Sequence, residues 1–344
     1  MTVRGGERMT DEPVSIVVGE CEAGQRLDAV LERLLPGMGL RGRRRTCELG
    51  RALVNGRARP AAYKVRSGDV LASAEPEETF AVKALASGAI PAPCVLHPET
   101  GEGSGLAALF KPAGMHSEAL AGKPGTSLGS PEILDTLLPA PGERARLLNR
   151  LDWATSGIVM AAVNTEGERR WKAAQEGGLT RKYYLALLQG YLDGERLVKQ
   201  RLILKGRERV LVEMADHPDS RRHTLIVPLA RIAPECLRNR TVSEGEATLA
   251  GCLILKGARH QIRAHAAALG HPLLGDTRYG AEPLIVDCTE NDPQSVEHFL
   301  LHHGRIELPG FMACCLPAWL KSLEEEARCA GEAWLSGNNS ASLQ

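Results

Sequence analysis

The spacing of apolar residues predicts a small unit of short strands and helices over residues 15–72. A strand is expected over SIVVGE from Ser15, and a second helix from the run of arginines at 41–45 to about Arg51. Asn55-Gly56 separates two short apolar runs and indicates a hairpin turn, with a further strand over 65–71. Between the first strand and the arginines, five apolar residues share one face of a predicted first helix that ends before Pro36: Leu27, Val30, Leu31, Leu34 and Leu35.

A larger domain is expected over residues 93–320, after an acidic, proline-containing linker at 73–92. Its pattern gives many short strands and few long helices, although Arg259 to Leu269 has helical spacing and stops at Gly270. The fold class is therefore α+β, a mixed but mostly antiparallel sheet preceded by a small α/β domain. Residues 321–344 are expected to form an acidic helix and a disordered tail. The predicted strands are LAALF, SGIVMAAV, KYYLALLQG, ERVLVEM, RHTLIVPLARI and TLAGCLIL.

Composition narrows the class of protein. A hydrophobic fraction of 43% is enough for a sizeable core, and the formal net charge is zero. Nine cysteines occur without CxxC spacing, which is typical of reduced thiols. No stretch approaches the run of about 18 apolar residues that a membrane span requires. We therefore expect a cytoplasmic protein that does not enter a membrane, with a monomer as the default.

Positive charge is concentrated locally. Residues 24–72 carry eleven Lys and Arg against four Asp and Glu, which alone is as compatible with a solvated surface as with binding. The segment also resembles the S-four-like RNA-binding module in RLD at 26–28, VNG at 54–56 and VRSGD at 65–69. The resemblance implies that arginines of this unit lie along RNA phosphates and supply affinity without sequence specificity. These arginines are Arg41, Arg43, Arg44, Arg45 and Arg66.

Three separated strings of the larger domain carry the most specific pattern. The first is NRLDWATSGI at 149–158, the second KYYLALLQG at 182–190, and the third GARHQIRAH at 257–265, followed by GHP, GD and YG up to Gly280. Taken alone, Asp152 would be a turn or cap residue and Tyr184 a core aromatic. In order and together, the strings resemble the signature of the RluA-like family of RNA pseudouridine synthases. FKPAG at 110–114 and LHH at 301–303 resemble its weaker motifs.

The resemblance implies a role for each matched residue. Asp152 is the catalytic carboxylate, Arg263 its ionic partner, and Tyr184 stacks on the uracil and takes the proton from carbon 5. Arg150 fills the stack that the extruded base leaves. Arg259, His260 and Gln261 are expected to contact RNA. Two positions depart from the family pattern, which has His at position 149 and Arg at position 258, where this chain has Asn and Ala.

The implied reaction explains the residue types. Isomerising uridine oxidises nothing and releases no group, so neither a cofactor nor a metal is required. A carboxylate that works in a water-poor pocket must stay ionised, and a guanidinium offsets the cost of its desolvation. The histidines at 260, 265 and 271 lack a carboxylate or cysteine at ligand spacing, so a metal site is not expected.

Several functions remain open at the level of sequence. Structured ribosomal large-subunit RNA is the favoured substrate, with transfer RNA as the near alternative. A catalytically impaired RNA-binding or ribosome-assembly protein on the same fold would explain the changes at Asn149 and Ala258. A glycoside hydrolase would need a second acid beside Asp152, and Asp276 is too weak a candidate to nominate. The polar segment 277–300 has no assigned role.

Overall fold

The computed structural model describes residues 15–35, 39–48, 52–73, 92–101, 104–119, 125–139, 144–205, 209–233, 245–282 and 299–337. The chain divides into two compact units, one of residues 1–83 with 120–124 and one of residues 84–119 with 125–344. Most of the proposed linker, part of the 277–300 segment and the end of the proposed tail lie outside the described residues. The four domain boundaries given above stay a prediction.

The smaller unit is a four-stranded antiparallel sheet with two helices. The strands lie in the order β1-β4-β2-β3. Leu27, Leu31 and Leu71 are fully buried, so the predicted apolar face of the first helix is confirmed, and its burial supplies the core of this unit. The elements are β1 (Ser15–Val17), α1 (Leu27–Leu34), α2 (Leu40–Glu48), β2 (Ala52–Val54), β3 (Arg57–Ala58) and β4 (Val70–Ser73).

The turn between β2 and β3 has the predicted geometry. Asn55 and Gly56 both have positive φ, 51° and 74°, as a tight hairpin turn requires. The strand predicted over 65–71 is wrong for residues 65–69, because β4 begins only at Val70. The amide of Asp69 donates to the carbonyl of Arg66 and the Asp69 carboxylate accepts from the Arg66 amide. Residues 66–69 therefore form a turn. Gly68 supplies its positive φ, and the Asp69 carboxylate closes it on the Arg66 amide.

The larger unit is built on a ten-stranded sheet. Eight strands follow the order β10-β13-β14-β9-β15-β8-β6-β5, while β16 pairs with β15 and β7 with β8. Among the described strands, β15 and β8 are parallel and the other pairs antiparallel. A separate antiparallel ribbon is formed by β11 and β12. The predicted α+β class is confirmed. The strands are β5 (Cys94–Leu96), β6 (Leu106–Lys111), β7 (Arg146–Leu147), β8 (Ser156–Ala162), β9 (Arg181–Gln189), β10 (Arg196–Val198), β11 (Gln200–Lys205), β12 (Arg209–Asp216), β13 (Thr224–Ile232), β14 (Ala247–Ile254), β15 (Leu301–Leu308) and β16 (Phe311–Cys314).

In the described part of the larger unit, four helices pack on this framework. The predicted C-terminal helix is confirmed, and its Trp334 lies in the core with the indole nitrogen donating to the carbonyl of Tyr184. A Cβ at Gly251 would overlap that indole, so the strand needs glycine there. None of the described helices is long and apolar enough to cross a membrane. The helices are α3 (Pro131–Leu137), α4 (Thr165–Glu176), α5 (Gln261–Ala268) and α6 (Glu325–Ser336).

The sequence did not predict α3 or α4. Helix α4 buries little besides Trp171 and Ala174, so its apolar periodicity is too weak to separate it from a polar loop. The signal that was present is its cap, since the side chain of Asn164 accepts a hydrogen bond from the amide of Gly167 at 2.9 Å. Helix α3 is short and begins with a proline at its first position. It too has an apolar periodicity too weak to be predicted from the sequence.

Candidate active site

The three motif strings meet at one cavity of the larger unit. Its volume is about 310 Å³, at the lower end of the range of small-molecule pockets. Its walls come from the loop before β8, from α4 and β9, and from the segment that leads into α5. Every site residue predicted for this unit lines it: Asp152, Tyr184, Arg263, Arg150, Arg259, His260 and Gln261.

Asp152 and Arg263 form the ion pair expected from the motifs. Nη1 of Arg263 donates to Oδ2 of Asp152 at 2.9 Å, across 111 positions of sequence. The Asp152 side chain remains 26% exposed, whereas Arg263 is 4% exposed. One carboxylate oxygen is thus engaged by a buried cation while the group still reaches the cavity. This arrangement sets a charge-assisted hydrogen bond on a carboxylate that a ligand can still approach.

Asp276 fixes the guanidinium of Arg263 from the other side. Nε and Nη2 of Arg263 donate to the two carboxylate oxygens of Asp276, at 2.6 and 2.9 Å. The rings of Phe299 and Tyr279 lie 4.2 and 5.2 Å from its central carbon. Burial disfavours the charge of Arg263, but the Asp276 hydrogen bonds and both carboxylates outweigh it and raise its pKa. Arg263 is therefore a permanent cation with one orientation.

The loop that carries Asp152 is anchored by the FKPAG segment. The ammonium of Lys111 is fully buried and donates to three carbonyls, those of Pro112 and Met115 at 2.8 Å and that of Trp153 at 3.3 Å. The amide of Gly114 also donates to the carbonyl of Trp153, at 2.9 Å. Lys111 thus ties its own loop to the residue that follows Asp152. Desolvation lowers the pKa of Lys111 to about 7, although Asp152 attracts its charge.

The TSG part of the first motif makes a close strand contact possible. Gly157 has φ +111°, and a Cβ there would overlap the backbone of His303 in β15. The adjoining hydroxyl of Ser156 lies 2.8 Å from Nδ1 of His302. Because β8 and β15 pair in parallel at these residues, the strand that follows Asp152 is held in register against the strand that contains LHH.

Tyr184 is a buried phenol beside this carboxylate. Its ring stacks on that of His303, with centroids 4.5 Å apart and planes at 16°. Desolvation, followed by the negative charge of Asp152, raises the pKa of Tyr184 far above its usual range. The phenol is neutral at physiological pH, so a phenolate that accepts the carbon-5 proton is disfavoured. Packing against a planar ligand is the role this environment favours.

The third motif is less helical than the sequence predicted. Helix α5 begins at Gln261, and His260 before it has a positive φ of 53°. The prediction of helix from Arg259 is therefore wrong at its start, because Arg259 and His260 precede the helix. The left-handed residue turns the His260 ring inward, where Nδ1 lies 3.0 Å from the Tyr279 hydroxyl and Nε2 3.9 Å from Asp152. Desolvation lowers the pKa of His260 to about 4, so it is neutral.

Gln261 serves the fold in this structure. Its amide nitrogen donates to the carbonyls of Arg222 and His223 and to the hydroxyl of Thr224, while its oxygen accepts from the amide of Ala258 at 2.9 Å. A side chain with this many partners is poorly placed to read RNA. Arg259 and Arg150 differ, because both are exposed at the rim, and Arg150 pairs with the exposed Glu118 at 2.9 Å.

Of the two departures from the family pattern, the structure explains Asn149 and leaves Ala258 unexplained. Oδ1 of Asn149 accepts a hydrogen bond from the amide of Met160 in β8, at 2.7 Å. Asn149 thus supplies an acceptor that keeps the motif loop against the sheet. Ala258 contributes only its backbone amide, to Gln261. Nothing in the structure explains why position 258 carries no charge.

The arginines of the smaller unit are not equivalent. Arg43 is buried and donates to the carbonyl of Asp28 at 2.8 Å, a placement unfavourable for a phosphate contact. Arg44 is exposed but pairs with the Asp28 carboxylate, also at 2.8 Å. Arg66 is exposed. The side chains of Arg41 and Arg45 lie outside the described part of the structure.

The histidines that invited a metal hypothesis have other partners. Nδ1 of His265 lies 2.8 Å from the Thr224 hydroxyl, and its Nε2 lies 3.0 Å from the carbonyl of Gln200. Nδ1 of His271 lies 3.1 Å from the carbonyl of Gln189. Within the described ranges, no group of three or more His, Cys, Asp or Glu side chains is placed to hold a metal ion.

Sequence reasoning missed three contributors to the site. Asp276 and Tyr279 belong to the GD and YG steps of the third motif, which were matched without a role. Lys111 belongs to the weaker FKPAG match. The available signal was that charged residues recur inside motif strings whose neighbours are glycines and prolines. The sequence pattern does not say which groups these side chains contact, so only the fold shows what each one holds.

Comparison with known proteins agrees with the geometry. Residues 106–268 match the family model for RNA pseudouridylate synthase. The chain is 30% identical over 307 residues to a Vibrio cholerae protein called ribosomal large subunit pseudouridine synthase C, covering 85% of this chain and 87% of that protein. A Yersinia pestis protein of the same name is 31% identical over 284 residues, covering 79% and 81%.

Among solved structures, human RNA pseudouridylate synthase domain containing 1 superposes with a TM-score of 0.48 at 18% identity, over 68% of this chain and 88% of that one. The assignment depends on the sequence relatives, which extend over most of both chains. The motif residues converge on one cavity. The chain therefore belongs to the RNA pseudouridylate synthase family.

Proposed function

We propose that this chain converts uridine to pseudouridine in structured ribosomal large-subunit RNA, with Asp152 as the catalytic carboxylate. The observation that carries the proposal is the pairing of Asp152 with Arg263 at 2.9 Å, on the wall of a cavity that the carboxylate still reaches. The choice of RNA is supported by the relatives from Vibrio cholerae and Yersinia pestis, which are named for the large ribosomal subunit.

The proposed chemistry balances without any other reactant. The bond between N1 of uracil and C1′ of ribose breaks, and its electron pair stays on N1. Asp152 bonds to C1′ or stabilises the positive charge there. The ring turns, C5 bonds to C1′ and Asp152 is released. The proton on C5 is then lost and N1 gains one, so the product is an isomer of the substrate.

Arg150 is the proposed wedge for base extrusion. The target has to leave its stack before Asp152 can reach C1′, which costs a few kcal/mol. Arg150 stands two residues before Asp152, exposed at the cavity rim. Its pair with Glu118 is between two exposed side chains and is therefore weak enough to exchange for an RNA contact.

The smaller unit is proposed to be an S-four-like RNA-binding domain over residues 15–72. Its exposed Arg44 and Arg66 are candidates for phosphate contacts, and on the larger unit Arg259 at the cavity rim is another. Residues 93–320 would then form the catalytic domain. Phosphate contacts of this kind raise affinity for any RNA, so choice of the uridine is left to the cavity and the fold of the RNA.

The alternatives weighed from sequence have less support. The relatives compared above are named as synthases, which gives no support to a catalytically impaired assembly protein. A glycoside hydrolase needs two available acids, but Arg263 lies between Asp152 and Asp276 and is bonded to both. Transfer RNA stays the alternative substrate, and the test below separates it from ribosomal RNA.

The test is to map pseudouridines across total RNA in cells that lack the gene for this chain, supplied with either the wild-type protein or Asp152→Ala. A modification that appears in large-subunit ribosomal RNA only with the wild-type protein supports the whole proposal. A modification that appears in transfer RNA instead would change the substrate and keep the chemistry. No difference between the two proteins would contradict the proposed function.

A further inference from the structure

Lys182 is a buried cation that the proposed mechanism leaves unused. It lies two residues before Tyr184 in β9, so both side chains are on the same face of the strand, about 6.6 Å apart along it. Lys182 is 4% exposed and lines the cavity. Among the described residues its ammonium has neither a hydrogen-bond acceptor nor a carboxylate partner. Nζ lies 5.3 Å from the centroid of the Trp171 ring. Its charge also acts on the buried imidazole of His303, whose pKa it helps to lower.

Burying the charge of Lys182 costs free energy that a purely structural lysine would have to recover through its contacts. Desolvation lowers its pKa to about 8, so the ammonium is still the main form at neutral pH. A buried charge without a partner costs far more than contact with an aromatic face recovers. Lys111 shows the contrast, because three carbonyls accept from its ammonium. A lysine left without acceptors at a cavity wall is suited to a ligand that brings one.

Gln175 adds a second donor to the same wall. It lies one helical turn after Trp171 on α4, so the two side chains share a face. Its amide nitrogen is buried and has no hydrogen-bond partner among the described residues. Gln175, Trp171 and Lys182 all line the cavity. This wall therefore offers two hydrogen-bond donors beside an indole, a combination that fits a flat ring bearing carbonyl oxygens.

We propose that Lys182 and Gln175 donate hydrogen bonds to the carbonyl oxygens of the extruded uracil, and that the Lys182 ammonium stabilises the negative charge on that ring after its bond to ribose has broken. The inference rests on the proposed function. When N1 keeps the electron pair, the charge spreads to the oxygens on C2 and C4. The charge is lost when C5 bonds to C1′, and Lys182 keeps its proton throughout.

Burial favours a base over a phosphate as the occupant. The exposed cations of the site are Arg150 and Arg259 at the rim. The sugar-phosphate backbone of a long RNA can pass there without entering the cavity. Lys182 is enclosed on the sheet surface beside Trp171. A cation so placed acts most strongly on charge that develops during the reaction, because water does not screen it.

The test compares wild type, Lys182→Met and Lys172→Met in single-turnover conversion of an RNA substrate. Methionine keeps the length of the chain and removes the charge, and Lys172 is an exposed lysine of α4 paired with Glu168. We expect Lys182→Met to lower the rate roughly 100-fold, with an RNA Kd within about twofold of wild type and a Tm unchanged or higher. Lys172→Met should match wild type. The wild-type rate should also lose a component above about pH 8, where Lys182 loses its proton, and Lys182→Met should lack that component. Any fall that comes from buried Lys111, whose pKa is about 7, should be common to both proteins.

A second arm varies the substrate. Sulfur replaces the oxygen on C2 or on C4 of the target uridine, which weakens it as an acceptor. At least one of these substrates should slow the wild-type protein and leave Lys182→Met unaffected, the coupling expected of two groups in contact. Gln175→Met should give a smaller loss of rate than Lys182→Met.

Each other outcome overturns the inference. A rate for Lys182→Met equal to that of wild type would contradict the inference. A weaker Kd whose salt slope falls by roughly 0.7 would assign Lys182 to a phosphate. A lower Tm would assign it a structural role. A wild-type chain that forms no pseudouridine would remove the proposed function and this inference with it, whereas an active wild type with an equally active Lys182→Met removes only the inference.

Discussion

Asp276 binds two of the three guanidinium nitrogens of Arg263, at 2.6 and 2.9 Å, and leaves Nη1 for Asp152. The pair joins the start of α5 to the GD turn that follows it, and both side chains are almost fully buried. Asp276 therefore sets the direction in which the guanidinium of Arg263 meets the Asp152 carboxylate. The position of the Arg263 guanidinium beside Asp152 thus depends on Asp276, which does not line the cavity itself.

Asp276→Asn should lower activity without loss of RNA affinity. The amide keeps the shape but can accept at only one of its two positions, so the orientation of Arg263 loosens. Displacement of a reacting group by about 1 Å can cost roughly 100-fold in rate, and we expect a loss of that order in single-turnover conversion.

The matched control for this variant is Asp193→Asn, which breaks an exposed pair with Arg196 and should leave the rate unchanged. Wild-type rates for Asp276→Asn would show that the Asp152–Arg263 geometry does not need its second carboxylate.

Lys111→Met should destabilise the protein. The substitution leaves three carbonyls around a fully buried site without their common donor. The carbonyl of Trp153 keeps the Gly114 amide as a donor, so the carbonyls of Pro112 and Met115 bear the loss. Buried acceptors left unsatisfied cost about 1–3 kcal/mol each, so a loss of about 2 kcal/mol or more is expected in chemical denaturation. The same substitution at Lys182, which has no acceptors, should not destabilise. Equal effects at the two lysines would contradict the distinction between them.

Stability should fall in mild acid because of neutral buried histidines. Desolvation lowers the pKa of His302 to about 4 and that of His303 to about 3, whereas an unfolded histidine titrates near 6.5. From pH 6.5 down to about 4 the unfolded state binds protons that the folded state does not, so the free energy of unfolding decreases as pH is lowered through this window.

The contribution of one histidine to this pH dependence can be isolated. Each is expected to contribute a slope of up to about 1.4 kcal/mol per pH unit. His302→Gln should reduce the slope of unfolding free energy against pH by about that amount, as measured by denaturation at several pH values. An unchanged slope would show that His302 is protonated in the folded protein or that unfolding does not expose it.

Arg66→Gln should weaken RNA binding equally for substrate and unrelated RNA. Removing one phosphate contact should reduce the slope of log Kd against log salt by roughly 0.7–0.9. Arg169→Gln provides the comparison, since Arg169 is an exposed residue of α4 already paired with Glu166. If both variants bind like wild type across the salt series, the smaller unit does not use Arg66 on phosphates.

Local pattern predicted the elements whose faces differ clearly in polarity. The spacing of Leu27, Val30 and Leu31 fixed the first helix, and Asn55-Gly56 fixed the hairpin, because each signal lies within a few residues. Helix α4 was missed because little of it is buried. The strand over 65–71 was shortened because Arg66 and Asp69 close a turn through their own backbone.

The site divides in the same way. Motif resemblance indicated Asp152, Tyr184 and Arg263, and all three line one cavity. The roles of Asp276 and Lys111 could not be predicted, because each depends on a partner or a loop that only the fold brings near. Lys182 is the reverse case, since what marks it is that no described residue accepts a hydrogen bond from its ammonium. Which groups these three side chains contact is decided by the tertiary fold and cannot be predicted from the linear pattern.

The most direct test of the central claim is the single-turnover rate of Asp152→Asn on a large-subunit ribosomal RNA substrate, measured with the RNA Kd of the same preparation. Asparagine keeps the shape of the loop and an acceptor for Arg263 but cannot act as a carboxylate at C1′. We predict no pseudouridine above background, with a Kd within about twofold of wild type. Conversion within tenfold of the wild-type rate would contradict the assignment of Asp152 as the catalytic carboxylate.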